Sequence, residues 1–176
     1  MTDETALAAP APPPTSEPAL PGDATRIQLP ARVITYWRVQ DALGTAFFLI
    51  VAIAIAVAVP DLPAWVRALI VAVPLIIGGL VIGMVVPVRY RIWWYAIGET
   101  QIDLQHGWLF VTRTVIPMTR VQHVELEVGP LASRFTLSSL KIHTAAGAVE
   151  IPALDQAEGE RIRQQIAELA SIADDL

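Results

Sequence analysis

The sequence predicts an α+β membrane protein: a two-helix transmembrane hairpin, then an antiparallel β-barrel or sandwich closed by a C-terminal helix. Three observations predict it. Two uncharged apolar runs lie close together, short segments of alternating polarity follow them, and the last stretch repeats apolar residues at helical spacing. Composition agrees, because 54% of the 176 residues are hydrophobic and only 16% are charged, against about a quarter charged in soluble domains. Zero cysteines exclude a disulfide scaffold, a thiolate zinc site and a Cys nucleophile. With a net charge of −5 there is no global basic field, so no nucleic-acid partner is expected.

Residues 1–25 hold six prolines and four acidic residues, with no Lys, Arg or aromatic residue. Such a stretch buries too little apolar area to offset its ordering entropy and reads as a disordered tail. It lacks the basic start and apolar run of a secretory signal. Residues 26–41 form a juxtamembrane segment. Ala42 to Val59 then runs eighteen residues without a charge, and Ala68 to Val88 runs twenty-one, with 60–67 as a short extracytoplasmic loop. About 20 helical residues cross a bilayer core, so both runs qualify as spans.

The flanks set the expected orientation. Arg26, Arg32 and Arg38 precede the first span and Arg89 and Arg91 follow the second, whereas the loop has only Arg67 beside Asp61. Positive flanks stay inside, so both termini are expected on the cytoplasmic side of the plasma membrane. Arg32, Tyr36, Trp37, Arg38, Arg89, Arg91, Trp93 and Trp94 are read as membrane-interface anchors. Gly79 and Gly83 form a GxxxG, and Ala52 and Ala56 repeat the small-residue spacing, as sites of hairpin packing or of self-association. Pro74 removes one hydrogen bond within the second span and marks an expected bend. Neither run contains an ionisable residue, which argues against a channel or transporter.

From Tyr90 onward the pattern becomes strand-like. Ile102 and Leu104 alternate with Gln101, Asp103 and Gln105, and Gly107 turns the chain into an expected strand over Trp108–Val115. Val124, Leu126 and Val128 share a face opposite His123, Glu125 and Glu127. Leu140, Ile142 and Thr144 alternate with Ser139, Lys141 and His143, and Ala146-Gly147 turns into Val149–Ile151. The result is a meander with one buried and one wet face. Asp155 and Glu158 stand in capping-box positions at the start of a helix over 155–173, where Ile162, Ile166, Leu169 and Ala173 form one stripe. A meander closed by one such helix has the plan of a pleckstrin-homology (PH)-like domain, here residues 89–176.

Particular motifs sharpen this plan. The entry to the first span reads Leu29-Pro30-Ala-Arg32, then Tyr36-Trp37-Arg38. Further on come Ile116-Pro117-Met-Thr-Arg120-Val-Gln122-His-Val124, Gly129-Pro130-Leu131, Arg134-Phe135 and Leu140-Lys-Ile142-His-Thr144-Ala-Ala-Gly147. In these the chain resembles the bacterial PH-domain membrane proteins of the YdbS-like family, over nearly everything after the tail. Phe135-Thr136-Leu137 departs from the Phe-Gly-Leu common among relatives. The resemblance implies a PH-like fold in the cytoplasmic membrane and no catalytic residues. It also implies a membrane partner, such as a larger relative that repeats the unit, and a link in some members to cell-envelope stress tolerance.

The residues themselves offer little chemistry. His106, His123 and His143 are the metal-ligand candidates besides carboxylates, but they lack helical ligand spacing and read as solvated or locally hydrogen-bonded histidines. No phosphate loop or nucleophile elbow is present, and no enzyme activity, cofactor or metal is expected. Arg113, Arg120, Arg134 and Lys141 are the candidate lipid or partner contacts. The expected function is a non-enzymatic protein-interaction scaffold at the inner face of the membrane. An anionic-lipid head-group sensor using those four residues is the alternative.

Overall fold

The computed structural model describes residues 25–174, so the expected 1–25 tail falls outside it apart from Thr25. Helix α1 runs from Arg32 to Ala58 and α2 from Ala64 to Leu80. Pro60 and Pro63 confine the connection between them. A single π-helical turn at Val81–Val85 joins α2 to α3 (Val86–Ile92), so one continuous rod extends from Ala64 to Ile92. The chain stays helical through Pro74, and its departure from α geometry comes just before Pro87. Pro87 has no N–H to give the Gly83 carbonyl and would crowd it, and a wider turn relieves that conflict.

Both rods are long and apolar enough to cross a membrane, and few of their side chains are buried. That exposure argues against buried core helices of a soluble protein. Helix α1 starts ten residues ahead of Ala42, inside the expected juxtamembrane segment. The reason lies in packing: Leu29, Val33 and Trp37, spaced by four, are buried against the following domain.

Six strands follow. They are β1 (Trp94–Ile97), β2 (Gln101–Gly107), β3 (Val111–Pro117), β4 (Val121–Glu127), β5 (Leu137–Thr144) and β6 (Gly147–Asp155). They form two antiparallel three-stranded sheets, β1-β2-β3 and β4-β5-β6. The expected barrel is not closed, since no ladder links the two sheets among the described residues. A 3₁₀ turn at Met118–Arg120 carries the chain between the sheets, and α4 (Pro130–Arg134) joins β4 to β5. Ile27 adds a bridge to β1, with its N–H to the Tyr95 carbonyl at 2.8 Å and the reciprocal bond at 3.0 Å.

Helix α5 (Gln156–Asp174) buries Ile162 and Ile166, with Leu169 packed on the same core. Gly159 lets it approach closely, because a Cβ there would lie 2.8 Å from Leu126 Cδ1 and 2.7 Å from Ser138 Oγ. The carboxylates expected to cap this helix are engaged by arginines, Asp155 with Arg32 and Glu158 with Arg161. The core is shared between the parts. Leu29, Val33, Trp37, Val86 and Trp93 join Tyr95, Ile102, Leu104, Leu140, Ile142, Ile151 and Ile166 in one buried cluster. The domain is therefore packed against the base of the helical hairpin, rather than hung from a linker.

Two sequence expectations fail at β2 and β3. The run Trp108–Val115 begins as a turn, and β3 starts only at Val111. Gly107 sits at φ +142°, and a Cβ there would strike the Phe110 carbonyl, so the tight turn fixes the strand end. Asp103, on the expected wet face, is 2% exposed. Arg113 grips it, donating from Nε to both carboxylate oxygens at 2.9 and 3.0 Å.

Thr136 adopts φ +56°, the left-handed conformation that a glycine takes without strain. The turn between α4 and β5 thus keeps its backbone shape with a β-branched residue in it, at a cost of about 1–2 kcal/mol. Thr136→Gly is expected to raise stability by about 0.5–1 kcal/mol after the entropy of the freer glycine is deducted. Thermal unfolding of the two chains checks this, with a higher midpoint for the variant.

Candidate functional site

Two of the four basic side chains of the proposed contact face are already paired with carboxylates. Arg113 is committed to Asp103 and lies 5.6 Å from the centroid of the Trp94 ring. Lys141 donates to Glu127 Oε1 at 2.7 Å, and this bond holds its pKa above the ordinary lysine value. Arg120 is exposed on the 3₁₀ turn, while Arg134 is exposed at the end of α4. A phosphate pocket needs several cations aimed at one point, and the carboxylate pairing of Arg113 and Lys141 weighs against one here.

The expected interface anchors divide in two. Trp37, Trp93 and Trp94 are buried, and Trp37 and Trp93 lie in the core shared by hairpin and domain. Arg89 stacks 4.1 Å over Trp37, and Arg26 lies 4.7 Å over Trp94. Tyr36 meets Phe135 edge-on at 5.8 Å, and Tyr90 donates its hydroxyl to the Leu29 carbonyl at 2.9 Å. Burial pushes the Tyr95 hydroxyl pKa up to about 12, with Glu158 adding to the rise. Arg38 and Arg91 remain exposed, and Arg32 pairs with Asp155. A cationic and aromatic collar thus joins the two parts.

Exposed aromatic surface lies elsewhere. The β2–β3 turn presents Trp108, Leu109 and Phe110, of which Phe110 is 81% exposed. Trp94, the first residue of β1, pairs with Gln105 and so sits near the same end of the sheet as this turn. That is the end at which α3 enters the domain, so the apolar tip and the spans share one side of the sheet.

The helix-packing residues also divide. Ala52 is buried and Ala56 half-buried, but a Cβ on Gly79 or Gly83 would meet nothing within 4 Å. The close contact of the hairpin is at Gly78, which faces Thr45.

The most distinctive concavity is the seam where the two sheets fail to join. Residues Thr114–Pro117 of β3 and Gly147–Val149 of β6 flank a groove of about 210 Å³, with Arg120 at its side. Next to it, Trp93, His106, Thr114, Ala148 and Pro152 line a second groove of about 380 Å³. Both β3 and β6 are edge strands, so their outward backbone groups border this seam. Sequence alternation located the strands; the open seam depends on pairings that no local pattern encodes.

The histidines are the other surprise. His123 and His143 are register partners across β4 and β5, with rings stacked at 4.1 Å and 10°. Glu125 reaches both, 3.5 Å from His123 Nε2 and 3.3 Å from His143 Nε2. His106 stands apart, beside Trp93 at 6.4 Å between ring centroids. Two of the three histidines therefore share a His-Glu-His cluster at the surface. His123 and Glu125 on one strand face were the visible half of the signal, and only the β4–β5 register supplies His143.

Comparison with known proteins follows the same outline. Residues 30–170 match the family described as Bacterial PH domain. The chain is 40% identical over 142 residues to UPF0699 transmembrane protein YdbS of Bacillus subtilis (strain 168), covering 79% of this chain and 89% of that protein. Among solved structures it is similar to a duf1696 family protein with a pleckstrin-homology domain from Shewanella loihica PV-4. That match has 15% identity and a TM-score of 0.38, covering 47% of this chain and 74% of the other.

Proposed function

The chain belongs to the bacterial PH domain family and is a membrane protein with a PH-like domain, and on that premise we propose that it is a non-catalytic, membrane-held protein-interaction module. The observation that carries this reading is the open seam between β3 and β6. An extended segment of another protein in the same membrane adds a strand to the β3 edge there. Backbone hydrogen bonds supply affinity in strand addition, and alternate side chains enter the flanking grooves for specificity.

The hairpin fixes where this happens. The arginine-rich flanks support a cytoplasmic side for the domain, at the plasma membrane. The exposed Trp108–Phe110 tip rests on the adjoining leaflet, where an amphipathic Trp is favourable. Together the spans, the buried collar and the tip restrict the domain's tilt, so the β3 edge faces partners within the membrane plane. The lipid-sensor reading is weaker, because Arg113 and Lys141 are each already paired with a carboxylate.

Val115→Glu and Ala148→Glu, on opposite sides of the groove, test the reading. In gently solubilised membranes, each is expected to reduce a co-purifying partner by roughly tenfold or more, since an unpaired charge in a desolvated interface is costly. Arg161→Glu, on α5, is expected to leave that partner in place. Retention of the same partner by both groove variants contradicts the assignment.

A further inference from the structure

We propose that His123, Glu125 and His143 bind a divalent transition-metal ion of the zinc, copper and nickel class. The cluster lies on the exposed face of the β4–β5 ladder, where His143 is the register partner of Ala148 at the seam, but the donor geometry does not rest on the interaction reading. Each residue offers one ligand atom, and these atoms lie within 4.8 Å of one another. Metal–ligand bonds of about 2.0–2.2 Å place donors roughly 3–3.6 Å apart, so modest side-chain rotations close the set. Those rotations are available, because His123 and Glu125 are more than half exposed.

A second observation points to a ligand. His143 Nε2 is shielded from solvent and makes no hydrogen bond, although the Glu125 carboxylate is 3.3 Å away. A shielded ring nitrogen without a partner is destabilising, and coordination satisfies it. The nearby cation does not obstruct the site. Lys141 stands opposite Glu125 in the register, yet its ammonium is held by Glu127 at 2.7 Å.

The donor chemistry selects the metal. Two imidazoles and a carboxylate suit zinc, copper and nickel, whereas magnesium and calcium prefer all-oxygen ligands. Three protein donors leave at least one position for water or a further ligand, as in open rather than closed zinc sites. The whole chain has three histidines and no cysteine, so few residues compete for the ion.

The test uses the full, untagged chain in detergent micelles, titrated calorimetrically with Zn²⁺. One Zn²⁺ per chain is expected, with no binding of Mg²⁺ at the same concentration. Losing an outer-shell partner already weakens metal binding about 10–100-fold, so His123→Ala and His143→Ala should each weaken it at least about tenfold. His106→Ala should leave the affinity unchanged. Thermal melting without metal verifies that the exposed-site variants remain folded. No Zn²⁺ binding by the parent chain, or equal binding by the His123→Ala/His143→Ala double variant, overturns the proposal.

Discussion

Arg113→Ala is expected to destabilise the domain by about 3–5 kcal/mol, the cost of stranding a buried charge. The asymmetry of the pair makes this specific. Asp103 is 2% exposed, whereas the Arg113 side chain is 26% exposed. Removing the arginine leaves a largely buried carboxylate without its charge partner. Removing the carboxylate by Asp103→Ala leaves an arginine that extends toward solvent over Trp94, so the loss is smaller. The double variant Asp103→Ala/Arg113→Ala should recover much of the loss, because no charge remains buried. Urea denaturation followed by tryptophan fluorescence measures all three. Equal destabilisation by the two single changes contradicts a buried pair. Loss of lipid binding in Arg113→Ala would thus report unfolding, which removes this residue as a probe of head-group recognition.

Gly78→Ala is expected to weaken the helical hairpin by about 1–3 kcal/mol, the usual cost of overpacking. A new Cβ would lie 2.9 Å from Thr45 Cβ and closer still to its methyl and hydroxyl. Thr45 cannot swing aside freely, because its hydroxyl donates to the Asp41 carbonyl at 2.8 Å. Small residues in membrane helices permit such backbone approach where lipid provides no hydrophobic drive. Thr45→Gly in the same chain opens the space and should return most of the stability, a coupling that a double-mutant cycle resolves. Gly79→Ala and Gly83→Ala should leave hairpin stability nearly unchanged, since their Cβ positions are open.

The spans and most strands were legible for a simple reason. A lipid-facing helix must be apolar on all sides, and a half-buried strand must alternate, so both leave one-dimensional patterns. Trp108-Leu109-Phe110 misled because an apolar run reads as strand, although Gly107 ends the pairing and leaves those side chains exposed. Asp103 misled in the opposite sense. Its polar parity is real, but Arg113 arrives from a neighbouring strand to neutralise it in a covered place. Trp37, Trp93 and Trp94 stand where tryptophans serve equally well at a lipid interface or in a junction core, and packing decides between the two. The histidine cluster and the seam depend on which strands pair, which neither spacing nor composition specifies.

That shared core also bears on experimental design. A fragment beginning at Arg89 would lack Leu29, Val33 and Trp37, along with the Ile27 bridge to Tyr95. Interaction measurements therefore need the hairpin and its preceding segment.

On the proposed reading, the β3–β6 seam receives a strand from another membrane protein. Photo-crosslinking residues placed at Val115 and Ala148, in intact membranes, address it most directly. Both positions are expected to crosslink to one and the same protein, while a probe at Arg161 on α5 does not. Lipid adducts alone at Val115 and Ala148, or a partner captured only from α5, would contradict it.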